Sequence, residues 1–205
     1  MVKFAVLASG NGTNFQALID GISSGEIMEC SISVFITDHA DAYAVERAKK
    51  AGIPVQVVKK EDFKVREDMD REIMKIADSY SVDYIYLLGY MRLIKAPEIF
   101  EKYENRIVNL HPSLLPAFPG IDAQAQAFEY GCKVSGITIH LVTPGLDSGP
   151  VIYQKSADIS NCRSGDEVRG MLRGLEHEGV KIVAQALAYG SFIADGRKAK
   201  YVKID

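Results

Sequence analysis

Five short apolar runs alternate with stretches of helical spacing through the first 111 residues. The runs are 3–9 (KFAVLAS), 32–37 (ISVFIT), 54–58, 84–88 (YIYLL) and 107–111. Unbroken apolar strands of this kind are buried on both faces, which is the habit of a parallel sheet. Segments 15–22, 42–51, 64–80 and 97–103 carry helical spacing. Gly52 closes the second, and Pro97 opens the fourth at a position where proline is well tolerated. In 64–80, Val65, Met69, Ile73, Ile76 and Ala77 form one apolar stripe. Strand–helix alternation specifies an open, mostly parallel twisted α/β sheet, Rossmann-like, with helices on both faces. Ligands in such sheets bind outside the carboxyl ends of the strands. The turns 10–14, 89–94 and 109–116 are therefore expected to share one cleft.

The second half changes character. A short helix over 124–130 stops at Gly131, and 134–142 (VSGITIHLV) alternates like a half-exposed strand. A tight polar loop, 143–150, leads to a strand over 151–155, so the pair predicts an antiparallel edge in the C-terminal half. A long helix, 164–189, opens with a Ser164–Glu167 capping box, and 192–204 is a mixed tail with room for one more strand. With no repeat, low-complexity segment or linker, one domain over 1–205 is expected.

Bulk properties exclude several classes. At 205 residues the chain supports one sizeable core, and no apolar run reaches membrane-spanning length. A net charge of −3 argues against a nucleic-acid footprint while leaving room for a local anion site. Cys30, Cys132 and Cys162 are scattered without a Cys-x-x-Cys spacing, which points to a reduced, cytoplasmic setting and away from a cysteine zinc site.

Two stretches carry chemistry. Ser9-Gly10-Asn11-Gly12-Thr13-Asn14 joins the first strand to the first helix, and such a turn presents free N–H groups and the positive helix end to an anion. Phe15 stands where a dinucleotide fingerprint needs a third small residue, and no Gly-Lys-Ser/Thr follows. A smaller phosphate-bearing ligand remains, or simply a tight connection that needs glycine. At the end of the fifth strand, Asn109 and His111 are two apart and project to one side. Asp147, if its loop turns back, would charge and orient that imidazole. Each also has a plainer reading, as satisfied strand-end or Asx-turn residues. Ser113 beside His111 lacks a nucleophile elbow, and His111, His140 and Asp147 lack a metal-ligand spacing; His140 reads as packing or support.

These residues resemble the phosphoribosylglycinamide formyltransferases, within the folate-dependent formyltransferase superfamily. The resemblance spans nearly the whole chain and rests on residues 9–14, Gly89-Tyr90-Met91-Arg92, residues 109–116 and Leu146-Asp147-Ser148-Gly149-Pro150-Val151-Ile152. It implies formyl transfer from 10-formyltetrahydrofolate to glycinamide ribonucleotide in purine synthesis, without a metal. It implies Asn109, His111 and Asp147 as the catalytic trio, with Asp147 raising the pKa of His111. Gly12, Thr13 and Asn14 would hold the phosphate, and Arg173 and Glu176 the nucleotide. Arg66, Met91, Arg92, Leu93, Ile94 and Asn109 would meet the folate, Arg66 at its glutamate end. A phosphate-binding half, 1–105, would thus face a catalytic and folate-binding half, 106–205. Small-molecule substrates and a monomer or weak homodimer are expected.

One departure stands out. The family pattern after Pro119-Gly120 usually has histidine at the second position and often again two further on, where this chain has Asp122 and Gln124. Methionyl-tRNA formyltransferase would need an RNA-binding extension and a basic face, and formyltetrahydrofolate hydrolase an added N-terminal domain. A non-catalytic nucleotide-binding module would leave Asn109, His111 and Asp147 without a joint task.

Overall fold

A computed structural model describes residues 1–203. One nine-stranded sheet runs in the order β3-β2-β1-β4-β5-β6-β7-β9-β8. The strands β1 (Val2–Leu7), β2 (Cys30–Thr37), β3 (Val55–Val57), β4 (Tyr84–Leu87) and β5 (Ile107–His111) pair in parallel. Helices α1 (Thr13–Ser23), α2 (Tyr43–Lys50), α3 (Arg66–Ser79) and α4 (Pro97–Lys102) make the crossovers. The chain winds outward from β1 to β3, then returns to lay β4 on the other side of β1. That reversal splays the connections apart and opens a crevice at the strand ends.

Alternate residues of β1 enter opposite cores, as a two-residue period requires. Phe4 and Val6 join Phe35, Tyr86 and Val108 beneath α1 and the last helix, while Ala5 and Leu7 join Ile36, Ile85 and Ile107 beneath α3 and α4. Phe15 of α1 stacks on Phe35 with centroids 4.7 Å apart. Burial on both sides is why these runs are apolar throughout.

The second half contains α5 (Ala123–Glu129), β6 (Val134–Leu141), β7 (Val151–Asp158) and α6 (Gly165–Tyr189). β6 runs antiparallel to both β5 and β7, giving the expected antiparallel edge. It is not half-exposed: every residue after Val134 is buried. One face lies under α6, and the polar face is roofed by the loop after β5. There Thr138 Oγ donates to the Ser113 carbonyl (2.7 Å) and accepts from Leu115 N–H (3.0 Å). The polar alternation answers to a covering loop rather than to water; the half-exposed strand is β7.

Ser164 caps α6 by accepting the Glu167 N–H at 3.1 Å. The tail holds two strands instead of one, β8 (Gly190–Asp195) and β9 (Lys198–Lys203), reversing at Gly196 with φ +59. Asp195-Gly196 is a strong hairpin signal that explains the extra strand. Ile204, in the expected tail strand, lies outside the described residues. Among those residues no helix is long and apolar enough to cross a membrane.

Two glycines of α6 separate packing from propensity. A Cβ on Gly179 would stand 2.7 Å from Ile137 Cδ1 and 3.0 Å from Tyr153 Cε1, whereas one on Gly174 meets nothing within 4 Å. Gly174→Ala should stabilise by about 0.5–1 kcal/mol through helix propensity. Gly179→Ala should destabilise by about 1 kcal/mol or more, because the helix must lift off the sheet. Thermal melts of the two variants should move in opposite directions.

Candidate active site

The carboxyl end of β5 supplies two polar side chains from one face of the strand. His111 is nearly buried, and its Nε2 lies 2.7 Å from the Phe118 carbonyl, so that nitrogen carries a proton and donates. Its Nδ1 lies 3.4 Å from Asp147 Oδ2. Asp147 sits in the β6–β7 loop at φ +44, a left-handed conformation that aspartate tolerates better than most residues. Its Oδ2 accepts the Gly120 N–H at 2.7 Å, and Asn109 Nδ2 approaches its Oδ1 at 3.4 Å.

A fourth residue belongs to this cluster. His140 pairs across the strands with Asn109. Its Nδ1 lies 2.9 Å from the Leu141 carbonyl, and its Nε2 lies 3.1 Å from Asn109 Nδ2 and 3.6 Å from Asp147 Oδ1. The sequence reads His140 as packing or support, and it is the second; its contact with Asn109 depends on the β5–β6 register, which spacing does not reveal.

Electrostatics here run against one expectation. Burial pulls the His111 pKa down, and the Asp147 charge, which pushes it up, does not overcome this. The sequence reading had the carboxylate raising the pKa; it counted the charge and not the desolvation. Burial in turn pushes the Asp147 carboxyl up, but hydrogen bonding from His140 and Gly120 and the positive influence of both histidines hold it below the usual range.

Asn14, in the first turn of α1, also lines the cleft. It is 9% exposed, and its Nδ2 donates to Glu176 Oε2 at 2.9 Å. Asn14 Oδ1 is buried without a partner among the described residues. Burial raises the pKa of Glu176, with Asn14, Arg173, Arg169 and Gln124 opposing. Gly12 at φ +72 precedes the helix, and a Cβ there would stand 2.7 Å from that of Ala44.

The loop over residues 89–96 forms the third side and is braced from behind. Met91 N–H donates to Ser9 Oγ at 3.0 Å, and Arg92 Nε donates to the buried Asp38 at 2.5 Å. Asp70, fully buried, accepts the N–H groups of Lys95 (2.6 Å) and Ala96 (3.1 Å) and pairs with Arg66 at 3.2 Å. The same Arg66 donates to the Leu93 carbonyl at 3.0 and 3.2 Å. Neither Asp38 nor Asp70 was singled out from sequence. An aspartate next to Met69, at the border of an apolar helical stripe, was the available signal for the second.

These parts enclose a cleft of about 530 Å³. Asn109, His111 and Asp147 share its wall with Met91, Arg92, Leu93 and Ile94, and with Asn14 and Glu176. Gly12 and Thr13 form the turn beside it, and Arg173 is exposed one helical turn before Glu176. Arg66 stands behind the 89–96 loop. The departing residues Asp122 and Gln124 also line the cleft, with Asp122 Oδ1 paired to Arg169 at 2.8 Å.

The formyl transferase family profile matches residues 2–184. The chain belongs to the formyl transferase family. It is 39% identical over 178 residues to the phosphoribosylglycinamide formyltransferase of Bacillus subtilis (strain 168), covering 87% of this chain and 90% of that protein. It is 37% identical over 196 residues to the enzyme of the same name from Escherichia coli (strain K12), covering 96% and 89%. The crystal structure of glycinamide ribonucleotide transformylase 1 from Symbiobacterium toebii superposes with a TM-score of 0.90 at 38% identity, covering 99% and 95%. This formyltransferase therefore carries its Asn–His–Asp cluster in a cleft that Asn14 of α1 and residues 89–94 also line.

Two variants test the site's electrostatics. Asp147→Asn removes the charge that opposes desolvation, so NMR titration of His111 should move to still lower pH. Asp70→Ala leaves Arg66 without its carboxylate and two backbone N–H groups without an acceptor, and should destabilise by about 3–5 kcal/mol in denaturant melts.

Proposed function

We propose that this formyltransferase moves the formyl group of 10-formyltetrahydrofolate to the amine of glycinamide ribonucleotide in purine biosynthesis. The observation that carries this reading is the meeting of Asn109, His111 and Asp147 on the wall of one cleft. One end of that cleft suits a phosphate-bearing nucleotide, the other a flat heterocycle, and the names of the similar proteins support the pairing. The donor fits the slot: Leu87, Ile94 and Val142 supply apolar walls, and Met91 and Leu93 stand exposed at the rim. Small molecules are then the partners, and residues 1–105 and 106–205 each contribute to both binding ends.

When bound, the folate supplies an electrophilic formyl carbon attached to nitrogen. The chain's residues manage the charge and the proton. The Asn109 carboxamide N–H whose contact to Asp147 is long, at 3.4 Å, is free to donate to the oxyanion that forms on the formyl oxygen. Burial disfavours the charged form of His111 in the free protein. Developing negative charge on the substrate adds to that of Asp147 and draws a proton onto the ring. A C–N bond forms to the substrate amine, the bond from the formyl carbon to the folate nitrogen breaks, and the proton lost by the amine ends on that leaving nitrogen. His111 relays it, and Asp147 stays a carboxylate throughout. Holding both substrates in one cleft removes the entropy cost of a bimolecular encounter. Asp122, paired with Arg169, is a poor general base in place of the family's usual imidazole.

An assay of formyl transfer with and without glycinamide ribonucleotide tests the whole reading. Turnover that depends on the acceptor supports it; acceptor-independent release of formate would favour a hydrolase. His111→Ala should lower kcat by roughly 10²–10⁴-fold with nucleotide affinity nearly unchanged. Near-wild-type turnover would reject its role.

A further inference from the structure

Segment 118–122 reaches both titrating members of the cluster through its backbone. The Phe118 carbonyl lies 2.7 Å from His111 Nε2, and the Gly120 N–H donates to Asp147 Oδ2 at 2.7 Å. The segment bends sharply to present both groups: Phe118, Gly120 and Asp122 have φ of +53, +87 and +60. Two of the three carry side chains that rarely adopt such a backbone, and it persists only where outside contacts fix it.

Some of those contacts come from α5 itself. Gln126 Nε2 donates to the Ile121 carbonyl at 2.8 Å, and the Phe118 ring meets Tyr130, at the end of α5, edge-on with centroids 5.8 Å apart. Asp122 reaches a separate element. It stands ahead of α5 without capping it, and its Oδ1 accepts from Arg169 Nη2 at 2.8 Å, while Arg169 Nη1 donates to Asp166 at 2.7 Å. On α6 Arg169 lies between Val168 and Leu172, both fully buried, so its backbone is a fixed anchor. We infer that Arg169 is a positioning residue for the reaction: by holding Asp122 it fixes the left-handed segment that presents the Phe118 carbonyl to His111 and the Gly120 N–H to Asp147. The inference rests on the reading that this cluster carries the transfer. It gives Asp122, a poor general base, a task that needs only its charge.

The test compares Asp122→Asn, Arg169→Gln, their double variant and Arg169→Lys. Steady-state kinetics is one readout; hydrogen exchange of the Gly120 amide, followed by NMR on the free protein, is the other. Asparagine tolerates left-handed backbone as aspartate does, so Asp122→Asn removes the charge and keeps the local preference. The two side chains are 45% and 59% exposed, and a pair that open to water changes a population by roughly two- to fivefold. Each neutral variant should therefore lower kcat by about two- to fivefold, leave the folate KM unchanged and speed Gly120 exchange by a similar factor. The double variant should be no slower than the slower single, and Arg169→Lys, which keeps the charge, should recover most of kcat. A merely structural pair would lower the melting temperature of both singles with kcat and Gly120 exchange at wild-type values, and that result would overturn the proposal. So would additive losses in the double variant, no recovery with lysine, or a rise in nucleotide KM confined to Arg169→Gln, which would make the arginine a direct nucleotide contact. Absence of formyl transfer alongside faster Gly120 exchange in both singles would instead reject the proposed reaction and leave the hold of Arg169 on the segment standing.

Discussion

Asp147 is the point on which the rest of the structure closes. Its carboxylate joins three segments far apart in sequence: the end of β5, the roof loop at Gly120 and the end of β6 at His140. A buried carboxylate is costly to desolvate, and only several donors aimed at it offset that cost. Here those donors hold its pKa low despite burial. The β6–β7 loop places it in a left-handed conformation that an ordinary side chain would resist. Local strain of this kind persists where surrounding contacts over-determine it, and every one of those contacts is also a contact of the site.

The same device recurs behind the loop over residues 89–96. Asp38 and Asp70 are buried acids whose partners are the arginines and backbone amides of the 89–96 loop. A loop without regular secondary structure exposes amides that need acceptors. An aspartate from a neighbouring strand end or helix supplies one while leaving the opposite edge of the loop free for a ligand. The slot is then shaped before anything enters it, and ordering it on binding costs little entropy. Arg66 takes part in this bracing, so its guanidinium already serves Leu93 and Asp70 where the resemblance assigns it to the far end of the folate.

How much of this was legible follows from which forces act locally. The five parallel strands announce themselves because burial on both faces removes polar residues from them. Asn109 and His111 share a side because the strand period is two. β6 misled because a polar side chain satisfied by a covering loop, such as Thr138, looks in sequence like one satisfied by water. The last hairpin was signalled by Asp195-Gly196 and passed over as a tail. His140 needed the register of β5 against β6, a non-local quantity that spacing does not carry. The direction of the His111 shift needed the balance of two opposing effects, and only three-dimensional burial decides that balance.

That balance bears on how the cluster is organised. Were His111 exposed beside Asp147, its ring would be charged in the free protein, and the two would form an ion pair with little left to gain as a reaction proceeds. Burial disfavours the charged ring, so negative charge added nearby has more to gain by protonating it. Interactions that strengthen only as charge develops lower a barrier, whereas those already complete in the ground state do not. His140 extends the same logic to Asn109: its ring, fixed by the Leu141 carbonyl, stands 3.1 Å from the Asn109 amide nitrogen, which keeps only a long contact with Asp147. The cluster is thus rigid in position and unsatisfied in one direction, toward the cleft.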